Sequence, residues 1–146
     1  MIEIRTATID DAEAVAGMAR ALSLSDGGKP SELTAEKFRA DGFGDRPAFS
    51  ALIAEWEDEI AGYVVFYRGY DTDSATRGVY LADLYVRRDF RRRGVARALM
   101  ANVAARCRDD GARWMFWSVL KRNRPARKFY RRVSVELKDV VICAAF

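Results

Sequence analysis

The chain has 146 residues, about the length of one domain, and its composition of 50% hydrophobic and 32% charged residues argues against extended disorder. No apolar stretch reaches the roughly 20 residues that cross a bilayer, and no export signal begins the chain, so we expect one cytoplasmic domain over residues 1–146 without a membrane partner. The absence of histidine and the presence of only two cysteines exclude catalytic Ser-His-Asp triads and histidine or all-thiolate metal sites, so we expect no metal.

The charge is distributed unevenly along the chain. Residues 1–86 contain 8 Lys or Arg and 16 Asp or Glu, whereas residues 87–146 contain 17 Lys or Arg and 5 Asp or Glu. The net charges of the two parts are therefore −8 and +12. This asymmetry predicts an anionic ligand on one side of the molecule and a cationic one on the other, although helix surfaces of different charge are an equally good explanation.

The first part of the chain predicts two helices and a β-hairpin. The elements in chain order are a strand over Met1–Thr6, a helix over Asp11–Leu22 capped by Thr8 or Asp10, a loop over Ser23–Ser31, a helix from the N-cap Thr34 to Gly42, and strands over Ser50–Trp56 and Ile60–Arg68. Alternating apolar residues indicate the strands, and an apolar stripe at helical spacing indicates the first helix. The acidic turn between the last two strands favours antiparallel pairing.

The second part alternates strands with helices. The elements are a strand over Val79–Val86, a basic loop over Arg87–Arg93, a long helix with an apolar repeat from Val95 to Cys107 that is ended by Gly111, a strand over Trp114–Leu120, a short helix over Pro125–Arg132 and a final strand over Leu137–Phe146. The whole pattern predicts a mixed α/β or α+β fold in which helices pack on a sheet.

The junction between a strand and the long helix carries the clearest chemical signal. The segment Arg91-Arg92-Arg93-Gly94-Val95-Ala96 opens that helix, where unpaired N–H groups and the positive end of the helix dipole face outward. Gly94 carries no side chain that would keep a phosphate from those amides. The sequence therefore predicts a phosphate or pyrophosphate site here.

Several segments together resemble the GNAT superfamily of acyl-CoA-dependent N-acetyltransferases. The core motifs are Leu84-Tyr85-Val86, Arg91-x-x-Gly94-x-Ala96 and Asn123-x-x-Ala126-x-x-Phe129-Tyr130, and further similar segments are Asp41–Gly44, Ile60–Tyr63, Leu81–Val86 and Cys107–Arg108. The further segments are similar to the branch that acetylates diamines, polyamines and thialysine. This resemblance implies a single N-acetyltransferase domain with a mostly antiparallel central sheet, helices on both of its faces, and a homodimer.

The resemblance also implies where acetyl-CoA binds as co-substrate. The matching positions are Leu84, Tyr85, Val86, Arg91, Arg92, Arg93, Gly94, Val95, Ala96, Arg97 and Asn123. In such enzymes the pyrophosphate lies on the loop amides, and the pantetheine arm runs beside the strand end like a further strand. The N–H near Val86 would then meet the thioester carbonyl. Asn123 matches a residue that binds the pantetheine arm, but it is equally well placed to cap the following helix.

Three residues are candidates for the transfer chemistry. Tyr130 matches the family's general acid, and a phenol is protonated at neutral pH; without the resemblance, helical packing would be the preferred interpretation. Asp83 is the best-placed carboxylate to take a proton from the amine or to anchor a cationic substrate. Asp71 is a second candidate for binding the substrate, although a solvated turn residue explains it better.

Two positions depart from the family pattern, and two other functions remain open. Ala82 stands where the polyamine branch usually has an acid, which argues against spermidine or spermine as the substrate. Val133-Ser134-Val135 replaces a common glycine turn. A basic nucleic-acid-binding protein and a non-catalytic CoA-binding domain are the alternatives to an enzyme, but the net charge of −8 over residues 1–86 disfavours nucleic acid.

Overall fold

Five strands and four α-helices form the chain, which a computed structural model describes from residue 1 to residue 146. The strands are β1 (Ile2–Thr6), β2 (Ser50–Trp56), β3 (Glu59–Asp71), β4 (Thr76–Val86) and β5 (Ala112–Phe116). The helices are α1 (Ala12–Ser25), α2 (Ala35–Gly42), α3 (Val95–Asp109) and α4 (Arg124–Tyr130). None of these helices has the length and apolar character that crossing a membrane requires.

The strands form one sheet in the order β1-β2-β3-β4-β5. All neighbours are antiparallel except β4 and β5, which are parallel and are joined by the crossover helix α3. The predicted hairpin of β2 and β3 is confirmed, and so is the mixed, mostly antiparallel sheet.

Helices cover both faces of this sheet, as the sequence and the resemblance imply. On one face α3 contributes Val95, Leu99 and Val103, all buried, to a core with β2, β3 and β4. On the other face α1 and α2 contribute Val15 and Phe38, both fully buried, to a second core. The two cores fix the sheet rigidly between the helices.

A buried acid holds the start of α1. Asp11 is 5% exposed and accepts hydrogen bonds from the Thr8 N–H at 2.7 Å and from both Nη atoms of Arg5 at 2.8 Å. The Arg5 guanidinium therefore holds the pKa of Asp11 below its usual value. Thr8 caps the short 3-10 turn over Ile9–Asp11 that precedes α1, and the predicted cap of α2 is confirmed because Thr34 accepts from the Lys37 N–H at 3.1 Å.

Strand β4 contains one extra residue relative to β3. Val65 lies opposite Asp83 and Phe66 opposite Leu81, which leaves Ala82 without a partner in a β-bulge. Leu81 and Leu84 both pack in the core under α3. Because side chains alternate on either side of the bulge, Asp83 points to the opposite face, which carries α1 and α2.

Strand β5 covers only the first part of β4. The pairing between them runs from Arg77 to Tyr80 of β4, and β5 ends at Phe116. The last six residues of β4 therefore have no strand neighbour on that side. We call this unpaired stretch of the β4 edge, beyond the end of β5, the gap.

The predicted strand over Leu137–Phe146 is wrong. Residues after Tyr130 form a short turn and then irregular chain, and no backbone N–H beyond Ser134 donates a backbone hydrogen bond. A strand needs the free edge of a neighbouring strand, which an apolar pattern alone does not supply. The predicted strand over Trp114–Leu120 also ends earlier, at Phe116, because β5 loses contact with β4 there.

Candidate functional site

The N-terminus of α3 presents six consecutive backbone N–H groups that donate to no group of the protein, those of residues 92–97. Gly94 precedes the helix with φ of 82°, in the left-handed region that favours glycine, and Arg92 has φ of 64°. The positive φ angles of Arg92 and Gly94 turn the backbone from the loop into α3. A side chain at position 94 would point into open space, since its Cβ would meet only Ile2 Cδ1 at 4.0 Å. Unpaired amides at a helix N-terminus are groups that can bind an anion.

Arginine side chains tie this loop to the sheet. Arg91 Nε donates to the Val86 carbonyl oxygen at 3.0 Å, and its guanidinium lies 5.6 Å from the centre of the Tyr85 ring. The Arg93 guanidinium lies 5.1 Å from the centre of the Trp56 ring. Cation–π contacts of this kind hold the positive charge beside the unpaired amides. The supporting role of Trp56 has no signal in the local motif, because the residue lies on β2.

The end of β4 faces the gap beside β5. The Arg87 N–H donates to the Ala61 carbonyl at 2.8 Å, so this pair forms one of the hydrogen-bonded pairs between β4 and β3. Such pairs alternate along antiparallel strands, so the backbone groups of Leu84 and Val86 point away from β3, toward the gap. The structure thus leaves polar backbone groups along this edge for an extended ligand.

Asp83 lies on the same strand and on the face that carries α1 and α2. Its Oδ2 accepts a hydrogen bond from the hydroxyl of Tyr63 at 2.7 Å, and Tyr63 is fully buried on β3. Burial and the nearby carboxylate raise the pKa of Tyr63, so its hydroxyl stays protonated and remains a donor. The sequence holds no local signal for this contact, because Tyr63 lies on β3 and Asp83 on β4.

Tyr130 lies at the end of α4 and packs on the opposite side, against the core under α3. Its ring centre lies 5.2 Å from that of Trp117 and 5.3 Å from that of Phe129. Burial, together with the charge of Asp26, raises the pKa of Tyr130 to about 12. The phenol is therefore protonated throughout the physiological range. Tyr130 thus packs with the core under α3, whereas Asp83 contacts Tyr63 of the core under α1 and α2.

Two other candidates have local structural roles. Asn123 Oδ1 accepts from the Ala126 N–H at 3.2 Å, so this residue is the N-cap of α4. Its role in binding pantetheine stays a prediction. Asp71 accepts from the Ser74 N–H at 3.1 Å in the turn between β3 and β4. Asp71 pairs with Thr76 of β4, and Thr76 precedes Asp83 by seven residues. The carboxylates of Asp71 and Asp83 are therefore roughly 20 Å apart along the strand. They cannot hold the same small amine group.

Comparison with known proteins identifies the family. Residues 18–134 match the model of the acetyltransferase (GNAT) family. The chain is 37% identical over 132 residues to a thialysine N-epsilon-acetyltransferase of Caenorhabditis elegans, covering 90% of this chain and 81% of that protein. It is 33% identical over 121 residues to the thialysine N-epsilon-acetyltransferase of Bos taurus, covering 77% of this chain and 69% of that protein.

A solved structure supports the fold. The ribosomal-protein-alanine N-acetyltransferase of Brucella melitensis biovar Abortus is similar with a TM-score of 0.79 and 20% identity, over 100% of this chain and 99% of that one. At that identity the likeness concerns the architecture alone. The family match spans most of the chain and the thialysine relatives exceed 30% identity, so the resemblance found in the sequence and the prediction of an enzyme are confirmed. The chain belongs to the GNAT family of N-acetyltransferases, in the branch that includes the thialysine enzymes.

Proposed function

We propose that the protein transfers an acetyl group from acetyl-CoA to a primary amine by direct attack, without a covalent enzyme intermediate. The observation that carries this proposal is the row of six unpaired N–H groups at Gly94, which fits the pyrophosphate of CoA. Arg91, Arg92, Arg93 and Arg97 surround this row with positive charge. CoA carries roughly four negative charges, and guanidinium groups bind phosphate well.

The edge of β4 suits the pantetheine arm. The outward backbone groups of Leu84 and Val86 can pair with its amides as a further strand would. The Arg91 side chain already donates to the Val86 carbonyl, so that guanidinium must move or share the acceptor when the arm binds. The Val86 N–H is the proposed donor to the thioester carbonyl oxygen.

Two side chains would handle the protons of the reaction. Bound acetyl-CoA supplies an activated acyl group as a thioester. Asp83, directly or through water, would take a proton from the amine, whose pKa of about 10.4 keeps it mostly protonated at neutral pH. Tyr130 would donate its proton to the departing sulfur, and its raised pKa of about 12 ensures that it carries that proton.

The proposed acceptor is a small primary amine of the thialysine type. Thialysine N-epsilon-acetyltransferases are relatives over most of the chain, whereas the human spermidine/spermine acetyltransferase-like protein matches only half of it. Ala82 stands in the bulge next to Asp83, so this position adds no second carboxylate for a diamine. A cytoplasmic location, expected from the sequence, and a homodimer, which rests on the family resemblance alone, complete the proposal.

The direct test measures release of CoA thiol from acetyl-CoA by the purified protein, with and without thialysine, followed by a screen of other amines. Amine-dependent release supports the proposal. Binding of acetyl-CoA, seen as a rise in Tm, without release by any amine would instead indicate a non-catalytic CoA-binding domain. A rise in Tm with an oligonucleotide but not with acetyl-CoA would indicate the nucleic-acid alternative.

A further inference from the structure

The hydrogen bond between Tyr63 and Asp83 joins the centre of one core to the edge of the proposed site. Tyr63 lies on β3 among Phe38, Ile53 and Val65, with none of its surface exposed. It lies opposite Tyr85, so Asp83 is its diagonal neighbour on β4. A diagonal pair on one face is within reach of a long aromatic side chain, and here the hydroxyl closes the distance to 2.7 Å.

Asp83 has no other partner in the protein. Its Oδ1 accepts no hydrogen bond, and none of the seven ion pairs of the chain includes it. The residue is half-buried, so the carboxylate is partly removed from water without a protein cation beside it. A carboxylate oxygen without a protein partner is free to accept a hydrogen bond from an ammonium group.

We propose that Tyr63 is a positioning residue that holds Asp83 through Oδ2, so that Oδ1 alone faces the amine. This inference rests on the proposed transfer to an amine. Because Tyr63 is fixed by the core, its hydroxyl restricts the rotation of the Asp83 side chain to one orientation. A fixed orientation serves a group that binds an ammonium ion and then takes its proton.

The β-bulge at Ala82 determines which face of the sheet Asp83 lies on. Ala82 shifts the alternation of β4 by one residue, so Asp83 lies on the face of Tyr63 while the next residue, Leu84, faces α3. Asp83 thus stands immediately before the strand edge proposed for the thioester. The Asp83 carboxylate, oriented by Tyr63, would meet an amine that enters on the face of the sheet that carries α1 and α2.

The test compares Tyr63→Phe with Tyr67→Phe, using thialysine and acetyl-CoA as substrates. Tyr67 lies on the same strand and face, stacks on Tyr80 and is 44% exposed, so its hydroxyl provides the matched control. We expect Tyr63→Phe to lower kcat/KM for the amine by about tenfold to a hundredfold, the usual range for a lost bond to a charged group. The KM for acetyl-CoA and the rise in Tm with acetyl-CoA should not change, and Tyr67→Phe should match the wild type.

A double-mutant cycle separates this role from a structural one. In the Asp83→Asn background, Tyr63→Phe should cause no further loss of kcat/KM, because Tyr63 acts through Asp83. An additive loss, or an unchanged kcat/KM in the single variant, would overturn the inference. If Tyr63→Phe does not fold, Asp83→Glu replaces it: this variant keeps the charge and moves the carboxylate, so full activity would equally overturn the inference. A wild-type protein that acetylates no amine would instead refute the proposed function itself.

Discussion

Replacing Gly94 by leucine separates the proposed CoA site from the stability of the fold. At φ of 82° any Cβ is strained, which costs about 1 to 2 kcal/mol and lowers the Tm of a 146-residue domain by about 3 to 8 °C. The new Cβ meets no closely packed atom, so we expect the leucine side chain to occupy the space beside the unpaired amides and to hinder the pyrophosphate. Losing even one charge-assisted bond to the pyrophosphate weakens acetyl-CoA binding about tenfold or more.

Gly111 provides the matched control because it ends the same helix in the same backbone region, with φ of 91°. A Cβ there would meet only Arg77 Cδ at 3.9 Å, and α3 places the position about 22 Å from Gly94. We expect Gly111→Leu to lower Tm by a similar amount and to leave the Kd for acetyl-CoA, measured by calorimetry, unchanged. If both variants bind acetyl-CoA like the wild type, or both lose it equally, the anion site does not lie at the start of α3.

Three further predictions concern the proposed general acid Tyr130, the ion pair of Asp11 and the contact between Gly78 and the Trp114 ring. Tyr130→Phe should keep the Kd for acetyl-CoA and lower kcat by about a hundredfold or more, and an unchanged kcat would remove the residue from the acid role. Asp11→Asn should lower the free energy of unfolding, measured in urea at neutral pH, by about 2 kcal/mol. Because the pKa of Asp11 is lowered in the folded state, its contribution is present above the unfolded pKa of about 3.9 and disappears as the pH falls through the folded pKa. The unfolding free energies of the variant and the wild type should therefore converge in acid. Gly78→Ala should destabilise the fold by about 2 kcal/mol or more because its Cβ would overlap the Trp114 ring. Gly17→Ala, in an open stretch of α1, should stabilise the fold slightly. Equal Tm values for the two variants would contradict the packing of the Trp114 ring.

The start of α3 was predictable because its signals are local. A glycine at the turn, arginines around it and an apolar repeat from Val95 to Cys107 specify where the helix begins and which face is buried. The hairpin of β2 and β3 was predictable for the same reason, since two apolar runs flank a short acidic turn. In these segments the neighbours along the chain decide the structure.

The segment after Tyr130 illustrates the opposite case. Its apolar residues suggest a strand, but they remain exposed: Val141 is 86% and Ile142 78% exposed. Strand formation depends on an available edge elsewhere in the chain, and the sequence near a segment does not report that edge. A polar contact of this region, in which Glu136 accepts from Arg127 on α4, was not predicted.

The bulge in β4 explains why the sequence predicted Asp83 as a site residue but did not predict its contact with Tyr63. Val79 and Leu81 keep a two-residue alternation that breaks before Leu84 and Val86, and this change of phase is a signal for an extra residue that our interpretation of one uniform strand overlooked. Without the bulge, Asp83 would share a face with Val79 and Leu81, inside the apolar core under α3. An unpaired carboxylate is not tolerated there, so the acid itself argues for the change of phase. Its partner Tyr63 could not be found locally, because twenty residues and a turn separate the two side chains and only the register of β3 against β4 brings them together.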